Sequence, residues 1–94
     1  MARYIMALTI NPNAKKDHPN LSHFINDSIE MLAKNNIKVE TLFATLGRFD
    51  FLALFDAEDQ AVVFKAASDI NNLGILDTET WPVIPFEEFT RIFE

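Results

Sequence analysis

The sequence predicts an α+β fold in which two helices cover one face of a four-stranded antiparallel sheet. Three observations predict it. Apolar residues alternate with a period of two in four segments and recur at helical spacing in two longer ones. Asn, Pro and Gly stand where one pattern gives way to the next. The order along the chain is β-α-β-β-α-β, with a short extra helix at the C-terminus.

Residues 3–10 read as the first strand, with Tyr4, Met6, Leu8 and Ile10 on one face and Arg3, Ile5, Ala7 and Thr9 on the other. Asn11-Pro12-Asn13 stops it, because proline gives no ladder hydrogen bond and asparagine favours turns. The polar stretch 14–19 is the longest predicted loop. Asn20 is placed to cap a helix whose stripe is Leu21, Phe24, Ile25, Ile29, Leu32 and Ala33. Asn35-Asn36 ends that helix, since asparagine tolerates the left-handed backbone there. Residues 37–46 form a second strand pattern, and the chain resumes as a strand at 49–55 after only Gly47-Arg48. So short a link predicts a tight antiparallel hairpin.

The second helix is predicted from an acidic start at Asp56, Glu58 and Asp59, where the helix dipole favours negative charge. Val62, Val63, Ala66, Ala67, Ile70 and Leu73 supply its stripe, and Gly74 closes it. Residues 75–81 read as the fourth strand, ended by Pro82. The last helix, 86–93, carries Phe86, Phe89 and Phe93 on one side. This element order is that of the split-βαβ, ferredoxin-like plait with a C-terminal helix.

Composition bounds the rest. The 94 residues suit one domain, 1–94, and 49% of them are hydrophobic, nine being phenylalanine. The net charge of −6 works against nucleic-acid or anionic-membrane partners. No cysteine is present, so disulfides and thiolate chemistry are excluded. No apolar run approaches the roughly 20 residues of a membrane span, and Met1-Ala2-Arg3-Tyr4 lacks a leader layout. A cytoplasmic protein is the expectation. An outer sheet face left to water should alternate toward charge. Here Ile5, Ala7, Thr9, Val39, Thr41, Phe43 and Thr45 leave both faces largely apolar or small. A homo-oligomer, dimer or higher, that buries the second face is expected.

The segment Thr45-Leu46-Gly47-Arg48-Phe49-Asp50-Phe51-Leu52 resembles the signature of the GYD family, named for a Gly-x-Tyr-Asp hairpin. Tyr4 in the first strand, the acidic second helix, Thr78-Glu79-Thr80 in the fourth strand and Pro85-Phe86-Glu87-Glu88-Phe89 agree with it. The resemblance implies a ferredoxin-like subunit of the dimeric α+β barrel type, with no established activity. The family's tyrosine is Phe49 here, so any role for a phenol at that position is lost and packing is expected instead.

The candidate sites are few. Asp50 lies inside an apolar strand and would serve either as a general base or as a structural acceptor, bonded to the Gly47 turn or paired with Arg48 or Arg3. Structure is the favoured use. His18 and His23 are five apart, off the i, i+4 face of a two-histidine metal site. With Asp17, His18 would make only a surface chelate, and no metal is expected. His23 is expected on the helix surface or at a cavity mouth.

Tyr4 and Trp81 are the expected ligand-contacting residues for a small hydrophobic ligand. Trp81 and Glu79 occupy one strand register, while Thr78 and Thr80 occupy the other. Gly47 and Gly74 are explained by a turn and a cap, so no phosphate loop and no cofactor is expected. Ser22, Ser28 and Ser68 have no nucleophile-elbow context. The functional expectation is a non-catalytic ligand-binding or protein-assembly module. The alternative is a cofactor-independent monooxygenase- or isomerase-like enzyme using His23, Asp50 or Trp81 beside a hydrophobic pocket between sheet and helices.

Overall fold

The chain folds as β1 (Ala2–Ile10), α1 (Leu21–Lys34), β2 (Val39–Ala44), β3 (Phe51–Ala57), α2 (Gln60–Asn72), β4 (Leu76–Val83) and α3 (Phe86–Ile92). The structure is a computed structural model that describes residues 1–13 and 21–94. The predicted loop 14–19, with His18, and the Asn20 cap lie outside the described residues. The four strands are antiparallel in the order β2-β3-β1-β4. That order, with α1 and α2 on one face, is the ferredoxin-like plait.

The central strand β1 sets the two faces. Tyr4, Met6, Leu8 and Ile10 are buried toward the helices, together with Ala53, Phe55 and Ala57 of β3 and Leu76 of β4. From α1 come Ile25 and Leu32, and from α2 come Val63, Ala66 and Ile70, the last three spaced three or four residues apart. Ile37, just before β2, completes this core. Asp69 ties the helices together, accepting from Lys65 Nζ at 2.9 Å and from Asn35 Nδ2 at 3.3 Å. The Lys65 contact first, and then Asn35, holds the Asp69 carboxyl below its ordinary range.

Helix ends follow the sequence chemistry. Asn36 adopts φ 61° after α1, and Gly74 adopts φ 74° after α2. Asp59 is the true cap of α2, its Oδ1 accepting from the Val62 N–H at 3.0 Å. Asp56, read above as part of that helix start, belongs instead to β3. It faces Arg3 across the ladder and accepts from Arg3 Nε at 3.1 Å, while Glu40 accepts from Arg3 Nη2 at 2.7 Å.

Three further boundaries correct the sequence reading. The tight Gly47-Arg48 hairpin is a wider link, because β2 stops at Ala44 and β3 begins at Phe51. The reason is a competing partner. The Asp50 N–H donates to the Leu8 carbonyl at 3.0 Å and its Oδ2 accepts from the Ile10 N–H at 2.8 Å, which draws this end of the link toward β1. Residues 45–50 close through the Thr45 N–H to the Asp50 carbonyl, 3.0 Å, and through the Thr45 hydroxyl, which donates to the Phe49 carbonyl.

Pro82 does not end β4, which continues to Val83. Proline is tolerated there because β4 is an edge strand. Finally, a register shift between Val39 and Thr41 breaks the simple alternation of β2. Val39 therefore packs toward the core, while Thr41 and Phe43 pair with Leu54 and Leu52 on the opposite face.

Candidate functional site

The two faces of the sheet carry different opportunities. On the helix side, a groove of about 300 Å³ runs between α2 and the edge strand β4. Its lining comes from Gln60, Phe64, Ser68 and Asn71 along one stripe of α2, from Thr78, Thr80 and Pro82 of β4, and from Tyr4 of β1. The stripe is the flank of the core stripe: the helix buries Ala66 and Ile70, and Val63, also buried, lies where the two stripes meet and lines the groove as well. Tyr4 is buried and stacks on Phe55, ring centroids 5.8 Å apart and planes at 21°.

The groove's polar atoms are unequally used. Asn71 Oδ1 accepts from both the Thr78 N–H, 3.1 Å, and the Thr78 hydroxyl, 3.0 Å. Thr80 Oγ1 is buried and has no hydrogen-bond partner among the described residues. Such a group is uncommon, because a buried hydroxyl left unpaired costs about 1–3 kcal/mol.

Among the described residues, no helix packs on the opposite face. Ile5 lies between Leu54 and Trp81, and Ala7 lies between Leu52 and Glu79, by strand register. Phe43, beside Leu52, is 50% exposed. Phe49 meets Trp81 edge-on at 5.5 Å, and the Arg48 guanidinium lies 5.4 Å from the Phe49 ring centre. The position that has lost its hydroxyl is thus used for aromatic packing. One end of this face carries Arg3 between Asp56 and Glu40. These carboxylates, Asp56 foremost, hold the guanidinium pKa above its ordinary value, with a further contribution from Glu88 of α3.

The expected site residues are placed as follows. Tyr4 lines the groove, but Trp81 is on the other side of the sheet. Tyr4 pairs with Pro82 and Ile5 with Trp81, and adjacent strand positions face opposite ways. The two cannot share a ligand within one chain. His23 is exposed on α1. Asp50 is engaged by the backbone of Leu8 and Ile10 rather than by Arg48, Arg3 or the Gly47 turn. The structure therefore does not bring His23, Asp50 and Trp81 together. Among the described residues no group of three or more His, Cys, Asp or Glu is arranged to hold a metal ion.

Two groove features escaped the sequence reading. The α2 flank of Gln60, Phe64, Ser68 and Asn71 was legible as a second stripe at spacings of four, four and three. The stranded Thr80 oxygen was not, because pairing depends on what α2 places above it.

The Asp50 contact makes a direct prediction. Asp50→Ala strands the part-buried Ile10 N–H and is expected to cost about 1.5–3 kcal/mol. Asp50→Asn keeps an acceptor and is expected to cost less, both read from urea unfolding. A loss below about 0.5 kcal/mol for the alanine variant, the range of ordinary surface changes, would refute the structural role.

A family model described as "GYD domain" matches residues 4–93. No curated protein matches the chain. Among solved structures, the crystal structure of TTHA0845 from Thermus thermophilus is similar, with a TM-score of 0.60 and 17% identity. The alignment covers 90% of this chain and 95% of that one, and at this identity it shows the fold alone.

Proposed function

The chain belongs to the GYD domain family, and on that premise we propose that it works as a non-catalytic assembly module whose copies join through the helix-free faces of their sheets. The observation that carries this reading is the apolar, helix-free face itself. Ile5, Leu52, Leu54 and Trp81, each part-exposed, surround the fully buried Ala7 by register, with Phe43 and Phe49 beside them. An antiparallel sheet that keeps one face in water normally alternates to polar residues there. Contiguous apolar surface of this kind marks an interaction site.

The rim supports self-association. Charged groups sit at the margins of the face, with Arg3, Glu40 and Asp56 at one end and Asp77 and Glu79 along β4. An apolar centre with a polar margin is the usual anatomy of a protein interface, and a two-fold contact lets one such face meet its own copy. The helix α3 adds to the unsatisfied surface. It buries none of its residues, and Phe86, Phe89 and Phe93 pack on one another, 6.1 and 5.1 Å between successive ring centres, while remaining largely exposed.

Native mass spectrometry of the full chain tests the reading. Two chains, or a closed multiple of two, are expected at micromolar concentration. A single chain as the sole species would overturn it. No helix among the described residues is long and apolar enough to cross a membrane.

A further inference from the structure

We infer that α3 is an exchanged arm: in the assembled protein the aromatic stripe of each copy's α3 lies against the partner's Phe43 and Leu46, at the far corner of the helix-free face. The inference rests on the face-to-face assembly proposed above and names a second contact that such an assembly makes.

Within its own chain α3 has nothing to pack on. Among the described residues no element packs closely against it, and it buries none of its residues. Phe86, Phe89, Ile92 and Phe93 fall within about 120° of helical arc, with Glu87 and Arg91 on the opposite side. So short a helix is not held in water by propensity alone and needs a surface to lie on. A second group of unsatisfied apolar side chains stands where β2 ends, with Phe43 half-exposed and Leu46 fully exposed.

The two groups are at diagonal corners of one sheet. The chain enters α3 from the end of β4 where Val83 pairs with Arg3. Phe43 and Leu46 lie on the other edge, at the end where Ala44 pairs with Phe51 and Phe51 with Leu8. Three strand spacings and five residues along β1 separate the corners, roughly 20 Å at standard sheet dimensions. The α3 of the same chain therefore does not cover them.

Symmetry supplies the partner. Two copies of one face can pack about a two-fold axis with their strands crossing near 90°, one of the two usual sheet-on-sheet arrangements. The axis then runs along a diagonal of the face. Set along the diagonal between the other two corners, it carries α3 over the partner's Phe43 and Leu46, and the reciprocal contact forms at the same time. Those other two corners carry charge, Glu40 with Arg3 at one and Asp77 with Glu79 at the second. Aligned packing would lay the α3 rings over one of them, which apolar side chains disfavour.

Area and charge point the same way. The apolar centre of the face spans roughly 20 by 10 Å, from four strands and about three residues along each. A standard interface takes about 800 Å² from each partner. The three α3 phenylalanines add on the order of 300 Å² of exposed ring surface. Arg48, beside Leu46, has no ion pair among the described residues, and α3 opens with Glu87 and Glu88, so the margins match in sign.

The chain has no cysteine, so engineered thiols report contacts without background. Full-length Leu46→Cys and Phe89→Cys chains, one thiol each, are mixed and oxidised, and the products are resolved by mass. A disulfide joining position 46 of one chain to position 89 of the other is expected in clear excess over both like-with-like products. Phe89→Ser is expected to weaken pairing about tenfold or more in light scattering, the size of losing a central aromatic contact, while the circular dichroism stays that of the folded parent. The inference is overturned, with the sheet-face reading intact, if Leu54→Asp separates the paired parent but the 46–89 product shows no excess. It is equally overturned if Phe89→Ser pairs as tightly as the parent. A parent chain that stays single overturns both readings, whereas a 46–89 product from an oligomer that survives Leu54→Asp keeps the arm contact and retires the face.

Discussion

Replacing Phe55 by alanine is expected to lower the unfolding free energy by about 3–5 kcal/mol, the range for emptying a buried aromatic site. Phe55 is fully buried at the centre of β3, paired across the ladder with Tyr4 on one side and Val39 on the other. Its ring also stacks on Tyr4, a contact worth about 0.5–1.5 kcal/mol beyond the area it covers. Both terms are lost together, and the cavity lies between sheet and helices where neither layer can collapse freely. A domain of this size holds about 5–15 kcal/mol in all, so the variant should sit close to unfolding. Guanidinium titration measures the loss, with Phe55→Leu as the milder companion. A loss under about 1.5 kcal/mol would show that the site repacks and that Phe55 is not central.

One residue away, Leu54→Asp is expected to do the opposite. Leu54 faces the helix-free side between Ile5 and Thr41, and within a single chain it is only half-buried. A carboxylate there can reach water in the monomer, so the fold should change by less than about 1 kcal/mol. In the proposed assembly the same carboxylate would be buried without a partner, at a cost of about 3–5 kcal/mol. Self-association should therefore weaken by about 100-fold or more, seen as single chains in light scattering at concentrations where the parent protein is paired. An oligomer that survives Leu54→Asp would place the interface elsewhere and retire the sheet-face reading. The pair of variants separates folding from assembly by a shift of one position, because successive strand residues point to opposite faces.

What the sequence made legible, and what it hid, follows from the reach of each interaction. The alternation of Tyr4, Met6, Leu8 and Ile10, and the helical spacing of Val63, Ala66 and Ile70, are local patterns, and both are the core faces observed. Asn36 and Gly74 likewise carry their reason within themselves, as residues that accept a positive φ. The link after Ala44 was hidden because its controlling contact joins Asp50 to Ile10, forty positions upstream. Asp56 was ambiguous for the same reason, since only the position of Arg3 decides between helix start and strand. Pro82 stops a central strand but not an edge strand, and the sequence does not say which strand is at the edge.

The site was less legible than the fold. Tyr4 and Trp81 are both aromatic residues on strands, yet the sheet separates them, and the phase of each strand against the helices is a tertiary fact. Thr80 looked like any threonine. Its unpaired oxygen emerges only when Met6 lies opposite it and α2 lies above.

The edges of the sheet have one more consequence. β2 and β4 are the two strands to which a stranger's backbone could be added. On β4, Pro82 withholds a donor from any incoming strand, and on β2 the bulge near Glu40 spoils the flat ladder such a strand would need. Lengthwise growth into fibres is thus discouraged at both borders, despite a chain rich in phenylalanine. What remains open to contact is a face, and a face can be saturated: once covered, it offers nothing further to the next molecule.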